Sequence, residues 1–194
     1  MGGDSCKGRG LLDPGFSILV GSVVELLPDS NSHLGDPMTS FETFPRITPF
    51  LWFDSNAEDA VEFYLTVFPN SRRLDKLIRS FGDPSGPEGT VLTIAFELEG
   101  QRFTALNGGP GFPFTQAVSF AVRCDSQQEV DDYWSKLSAG GTEIQCGWLK
   151  DKFGMFWQIT PARLPELIKN PKAFQAMLRM VKIDIAEIER AAES

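Results

Sequence analysis

The sequence predicts an α+β fold: two tandem βαβββ modules followed by C-terminal helices. Three observations carry that expectation. The stretch "DSNAEDAVEFY" from Asp54 recurs as "DSQQEVDDYW" from Asp125, and both open Asp-Ser-x-x-Glu. Around each copy the apolar pattern runs strand, helix, then three strands. Past Pro161 the apolar spacing turns helical to the end of the chain.

Each element has a local reason. Ser55 with Glu58, and Ser126 with Glu129, match a capping box, in which a serine oxygen takes a free backbone N–H and the glutamate returns the contact, so each pair is expected to start a helix. Ala60, Tyr64 and Val67 share one side of the first helix, which Pro69 and Asn70 end; Val130, Tyr133, Trp134 and Leu137 do the same in the second, which Gly140 and Gly141 end. "RITPFLWF" and "AVSFAVR" are the strands before the two helices. "RRLDKLIRSF", "TVLTIAFEL" and "QRFTALN" follow the first helix, and "TEIQC", "GWLKDK" and "MFWQIT" follow the second. In "TVLTIAFEL" the period of two places Leu92, Ile94, Phe96 and Leu98 on one face. Asn170 followed by Pro171 is a cap with proline at the first helical position. Phe174, Met177, Leu178 and Val181 line the helix after it, and Asp184 with Glu187 starts a last one. That apolar stripe reads as core or as a contact between subunits.

These patterns divide the 194 residues into a flexible extension over 1–37, two modules over 44–161 (44–110 and 114–161), and C-terminal helices over 162–194 that belong to the same domain. The extension holds the single histidine, His33, and an apolar run, "FSILVGSVVELL", which is too short to span a bilayer with Glu25 inside it and lacks the flanks of a secretory leader. Three cysteines, Cys6, Cys124 and Cys146, are an odd number with no Cys-x-x-Cys spacing, so they read as reduced structural thiols of a cytoplasmic protein. A net charge of −8 excludes the basic stripe that nucleic-acid binding needs. The short run of Arg72, Arg73, Lys76 and Arg79 reads as a solvated strand edge. No membrane and no nucleic acid is expected as a partner.

The stretches "ITPFLWFDSNAEDAVEFY", "FTALNGGPGFPF", "SFAVRCDSQQEVDDYW" and "CGWLKDKFGMFWQITP" resemble the vicinal oxygen chelate superfamily of glyoxalases, bleomycin and fosfomycin resistance proteins and extradiol dioxygenases. Within it they look like the PhnB-like branch, whose domain carries the name 3-demethylubiquinone-9 3-methyltransferase. The resemblance implies a glyoxalase-like half-open barrel, a homodimer in which cups complete one another, and a divalent metal held from the first and fourth strands of each module. Carried over by position, those places fall near Thr48 or Pro49, near Leu106 or Asn107, near Gln116 or Ala117, and at Gln158. None is the imidazole, carboxylate or thiolate that zinc, iron or manganese prefers. Gln158 donates and accepts hydrogen bonds but carries no charge to offset a dication, so it suits a polar ligand, an ordered water or a satisfying neighbour.

The expected function is therefore a metal-independent small-molecule binding protein or orphan enzyme, with no metal and no cofactor and a ligand of unknown identity. Its pocket walls are expected from Trp52, Phe103, Asn107, Ala117, Ser119, Trp148, Phe156 and Gln158. On "AVSFAVR", Val118, Phe120 and Val122 are bulky enough to pack under the second helix, whereas Ala117, Ser119 and Ala121 on the other face leave room. Two alternatives stand beside this reading. One is a divalent-metal-dependent enzyme of lyase, dioxygenase or resistance type, with Glu97 or Asp151 reaching in. The other is a methyltransferase, as the family name suggests, although "GGPG" lies between two strands rather than opening a helix. Lys150 and Asp151 precede the last hairpin turn, where solvated charges are expected. "GDPSGPEG", residues 82–89, reads as a rim loop able to act as a lid, and "NGGPGFPF" reads as the linker between modules or as a backbone nest for an anion. No catalytic residue is assigned.

Overall fold

A computed structural model describes residues 45–193; the extension over 1–37, with Cys6 and His33, lies outside the described residues. The first module runs β1 (Phe50–Phe53), α1 (Ala57–Val67), β2 (Ser71–Ile78), β3 (Val91–Leu98) and β4 (Gln101–Asn107). The second runs β5 (Phe120–Cys124), α2 (Gln127–Ser138), β6 (Thr142–Glu143), β7 (Trp148–Lys150) and β8 (Phe156–Pro161). Three helices close the chain: α3 (Leu164–Leu167), α4 (Pro171–Met177) and α5 (Ile185–Glu193). The sheets have orders β1-β4-β3-β2 and β5-β8-β7-β6, one pattern used twice. In each, the first strand lies parallel to the fourth and the remaining pairs are antiparallel. The architecture is α+β with two separate four-stranded sheets and no closed barrel.

Of the two expected capping boxes, the first does not form and the second forms with its return bond moved one residue back, from Ser126 N to Asp125 N. Ser126 Oγ accepts from Glu129 N at 3.2 Å, and Glu129 Oε2 accepts from Asp125 N at 2.7 Å. In the first module Asn56 takes the cap position without a side-chain bond, and the free N–H of Ala57 goes to Asn107 Oδ1 at 2.9 Å. A partner from β4 has replaced a local one, which ties the start of α1 to its own sheet. Asn170 caps α4 as expected, accepting from Lys172 N and Ala173 N, with Pro171 beginning the helix.

The strands differ from the sequence reading at their ends. β6 is two residues long because the chain turns over Cys146 and Gly147, both in the left-handed region (φ 61° and 80°), and Trp148 N reaches back to Gln145 O. A register shift between Leu77 and Ile78 leaves Val91, rather than Leu92, in the core cluster with Ile94, Phe96 and Leu98.

A single core joins the modules. Tyr64 and Phe68 of α1 meet Trp157 of β8 at ring separations of 5.5 and 5.4 Å, Phe68 stacks on Tyr133 of α2 at 5.3 Å, and Phe103 of β4 meets Phe120 of β5 at 5.0 Å. Burial of each such ring contributes about 1.5–3 kcal/mol. At the centre of this contact sits Asp151, which the sequence reading placed among solvated charges. It is 2% exposed. Its carboxylate accepts from Tyr64 Oη at 2.8 Å, Trp157 Nε1 at 2.8 Å, Phe153 N at 2.8 Å and Met155 N at 3.0 Å. Apolar surroundings oppose its burial, and the four donors make that burial tolerable.

Burial pushes the Asp151 carboxyl above its usual range, while the bonds from Trp157, Tyr64 and the two backbone amides pull the other way. A raised folded-state pKa means the native protein holds this proton more tightly than the unfolded chain. The group's stabilisation is therefore complete below the ordinary value of 3.8 and is lost as pH rises through the folded-state pKa. Asp151→Ala, which orphans four donors, is expected to cost about 3 kcal/mol or more in urea unfolding. Asp151→Asn, which cannot ionise, is expected to gain stability relative to wild type as pH rises from about 4 to 7. A wild-type-minus-variant difference that stays flat over that range would contradict this account.

Candidate functional site

Each sheet turns one face to the shared core and the other away from it. On the second sheet the register sets Ala121 and Trp148 opposite Gln158, and Lys150 opposite Phe156, so these side chains share the outward face. Phe120, Leu149, Trp157 and Ile159 occupy the core side. Gln158 Nε2 donates to Ser119 Oγ at 2.8 Å. That bond uses one amide hydrogen. The side-chain carbonyl and the second N–H remain available, next to half-buried Trp148 and buried Phe156. Ala117 is exposed in the turn leading to β5. Ser119, Trp148, Phe156 and Gln158 are thus brought together as the sequence suggested, with Ala117 at their margin.

On the first sheet the face away from the core carries Trp52, Thr93, Ala95, Thr104 and Leu106, with exposed Phe50 opposite Thr104. Thr104 Oγ1 is buried and has no hydrogen-bond partner among the described residues. Trp52 Nε1 donates to Gly109 O at 2.8 Å, and its ring lies over Gly108, where an added Cβ would fall 2.3 Å from the indole. Phe112 from the linker packs on the other side at 4.6 Å. Glycine at 108 is a packing requirement of Trp52.

Two of the expected wall residues sit elsewhere. Phe103 lies in the core, stacked on Phe96 at 5.3 Å. Asn107 is consumed by structure, holding Ala57 N through Oδ1 and donating from Nδ2 to Val91 O at 3.0 Å. The first faces the helix by strand alternation, and the second is the missing cap of α1.

Sequence reasoning also missed Arg79, assigned to a solvated edge. It is 7% exposed, and its guanidinium donates to Ser85 Oγ, Thr90 Oγ1, Val91 O and Asn107 O. Gly86 packs on it so closely that a Cβ would lie 2.8 Å from Nε. The loop over residues 82–89 is wrapped around this arginine, which tethers it to β3 and β4 and argues against a freely swinging lid.

The donor set does not fit the divalent metal of the superfamily. Among the described residues no three His, Cys, Asp or Glu side chains converge to hold one. Glu97 is paired with Arg72 and Arg102, and the Asp151 carboxylate is taken up by its four donors inside the core. Of the thiols, Cys124 is buried and its pKa is pushed up to about 11 by burial and by Glu129 and Asp125, so it is no nucleophile at neutral pH.

Residues 45–160 match the family model described as 3-demethylubiquinone-9 3-methyltransferase. The chain belongs to this family. Among solved structures it is similar to the PhnB protein from Bacillus cereus, at 34% identity over 61% of this chain and 100% of that one, with a TM-score of 0.56. Protein PA1353 from Pseudomonas aeruginosa shares the fold, at 19% identity over 61% of this chain and 98% of that one, with a TM-score of 0.50. A glyoxylase/bleomycin resistance protein/dioxygenase domain from Frankia also matches, at 10% identity over 61% of this chain and 93% of that one, with a TM-score of 0.39. A comparison with curated proteins gives no match. The paired βαβββ modules and the PhnB relative place the family in the vicinal oxygen chelate superfamily, and α3, α4 and α5 lie beyond the matched residues. No described helix is long and apolar enough to cross a membrane.

Two outcomes check this geometry. Gly108→Ala is expected to dislodge Trp52, costing about 1–3 kcal/mol and red-shifting part of the tryptophan emission; an unchanged spectrum with unchanged stability would contradict the packing. In native protein a thiol reagent is expected to label Cys146, which is half-exposed, and to leave Cys124 untouched until unfolding.

Proposed function

We propose that this member of the 3-demethylubiquinone-9 3-methyltransferase family is a metal-independent protein that binds a small, neutral or weakly polar molecule on the outward face of its second sheet. The observation that carries the reading is Gln158, an amide with a free carbonyl and a free N–H beside Trp148 and Phe156 on a face turned from the core. Aromatic surface with one or two fixed polar groups is what small-molecule sites are made of. The unpartnered hydroxyl of Thr104 on the outward face of the first sheet supplies a second polar point of the same kind.

In a single chain each of these faces is the one its sheet turns away from the shared core. We infer that a second copy brings a first-sheet face over a second-sheet face, so that the cup is completed in a homodimer. Exposed Phe50, Val118, Phe174, Leu178 and Val181 support this, since apolar side chains of that size favour a covered surface. The protein is read as cytoplasmic from its unpaired thiols, free Cys124 and Cys146.

Methyl transfer finds no support in the residues. The glycine-rich segment after β4 leads into β5 without an intervening helix, and neither sheet has the doubly wound parallel form that S-adenosylmethionine sites commonly use. Metal-dependent chemistry lacks a donor set among the described residues.

The test is a thermal-shift screen of quinones, phosphonates, aldehyde adducts and aromatic antibiotics, followed by calorimetry on the best compound. Gln158→Leu is expected to weaken its binding about tenfold or more, since a lost buried hydrogen bond to ligand costs roughly 1–3 kcal/mol, while treatment with chelator leaves affinity unchanged. Stoichiometric zinc, iron or manganese in protein purified without chelator, with binding lost on its removal, would overturn the reading.

A further inference from the structure

Between the two modules, beside the β3–β4 turn and along β5, lies a cleft of about 700 Å³. Its walls carry five rings: Phe68, Phe103, Phe120, Tyr133 and Trp157. They form one connected set, with Phe68 within 5.4 Å of Trp157 and Phe120 within 5.7 Å of it, centroid to centroid. Three of the rings are buried, whereas Phe120 and Tyr133 are half-exposed and line the way in.

The rim is charged and unbalanced. Glu99, Asp125 and Glu129 stand against a single cation, Arg123, which is already committed to Asp125 at 2.6 Å. Glu99 accepts from Asn70 N and Nδ2, and Glu129 accepts from Asp125 N; neither has an ion pair among the described residues. Glu99 is held in place by an unusual backbone, since it occupies the left-handed region (φ 46°) in the tight β3–β4 turn it forms with Gly100. Burial, followed by the fields of Glu99, Cys124 and Glu129, holds the Tyr133 phenol above its ordinary pKa.

An electron-rich aromatic floor under two carboxylates that lack counter-ions is complementary to one chemical class. We propose that this cleft binds a planar hydrophobic cation, its ring body against Phe120 and Tyr133 and its positive charge between Glu99 and Glu129. Ring faces attract a cation, the carboxylates add Coulombic attraction, and the volume suits a ligand of two or three fused rings. A neutral molecule of the same shape gains only the burial, and an anion is repelled.

Calorimetry with one ring frame in three charge states tests this: N-methylacridinium, neutral acridine and acridine-9-carboxylate, at pH 7.5. The cation is expected to bind at least about fivefold tighter than acridine, the carboxylate weakest of all, and the cation's affinity to fall as salt is raised. Glu99→Gln combined with Glu129→Gln keeps one acceptor oxygen at each position while removing both charges, and is expected to bring cation and neutral probe to near parity. Tyr133→Leu is expected to weaken both. Equal binding of the three probes, or a cation preference that survives the double substitution, overturns the proposal. If the double variant fails to fold, the wild-type salt series decides it, because an affinity independent of ionic strength also overturns it.

Discussion

The carboxylate of Asp151 is the constraint on which the arrangement of the two modules depends. It stands in β7–β8 hairpin territory of the second module and accepts a hydrogen bond from Tyr64 on the helix of the first. Removing a charge from water is costly, and here the cost is offset only where all four donors are present. Two of those donors are indole and phenol groups that themselves form the aromatic core. The hydrogen bonds therefore fix which rings meet, and the rings exclude the water that would weaken the bonds. Apolar packing alone tolerates sliding; a four-donor carboxylate does not.

One consequence is topological. With α1, α2 and the inner faces of both sheets drawn around that centre, the outer faces are left for other purposes. The first is lined by small and hydroxylated residues around Thr104, the second by Gln158, Ser119 and Trp148. The first also carries Glu97, tied up by Arg72 and Arg102, and among the described residues neither gathers three anionic or imidazole donors. Membership of the family thus explains the scaffold, while the side chains on it explain why the superfamily's metal chemistry is a poor guide to this chain.

What could be read from sequence was whatever is settled within a few residues. The duplicated plan, the Ser126–Glu129 cap and the Asn170–Pro171 helix start all rest on neighbours along the chain, and strand alternation correctly grouped Ser119, Phe156 and Gln158. Polar residues whose partners lie far off were misjudged. Asp151 looked solvated because, although Phe153, Met155 and Trp157 lie within six positions, the Tyr64 side chain that meets it from the other module is 87 positions away; Asn107 looked like a pocket wall because the amide it holds, at Ala57, is 50 positions away; Arg79 looked like edge charge because Asn107 O and Val91 O close around it only in the fold. Ser55, with an intact local motif, lost its role to Asn107. Periodicity reports burial of apolar groups well and says nothing about which distant acceptor a buried polar group will find.

The C-terminal helices have a core of their own, built from Leu164, Ala173, Ala176, Met177, Met180, Ile183 and Ile188. They meet the second module along one seam: Cys146 N and Gly147 N reach Met180 O and Val181 O, Gln127 holds Ile183 O and Ile185 N, Lys182 pairs with Asp131, and Cys146 packs against the helical core. A unit with an independent interior and a narrow seam is suited to come away as a body while the rest stays native. Such a partial opening would release the turn that precedes Trp148, so that the tail, outside the shared family region, governs how rigidly one wall of the outward face is held.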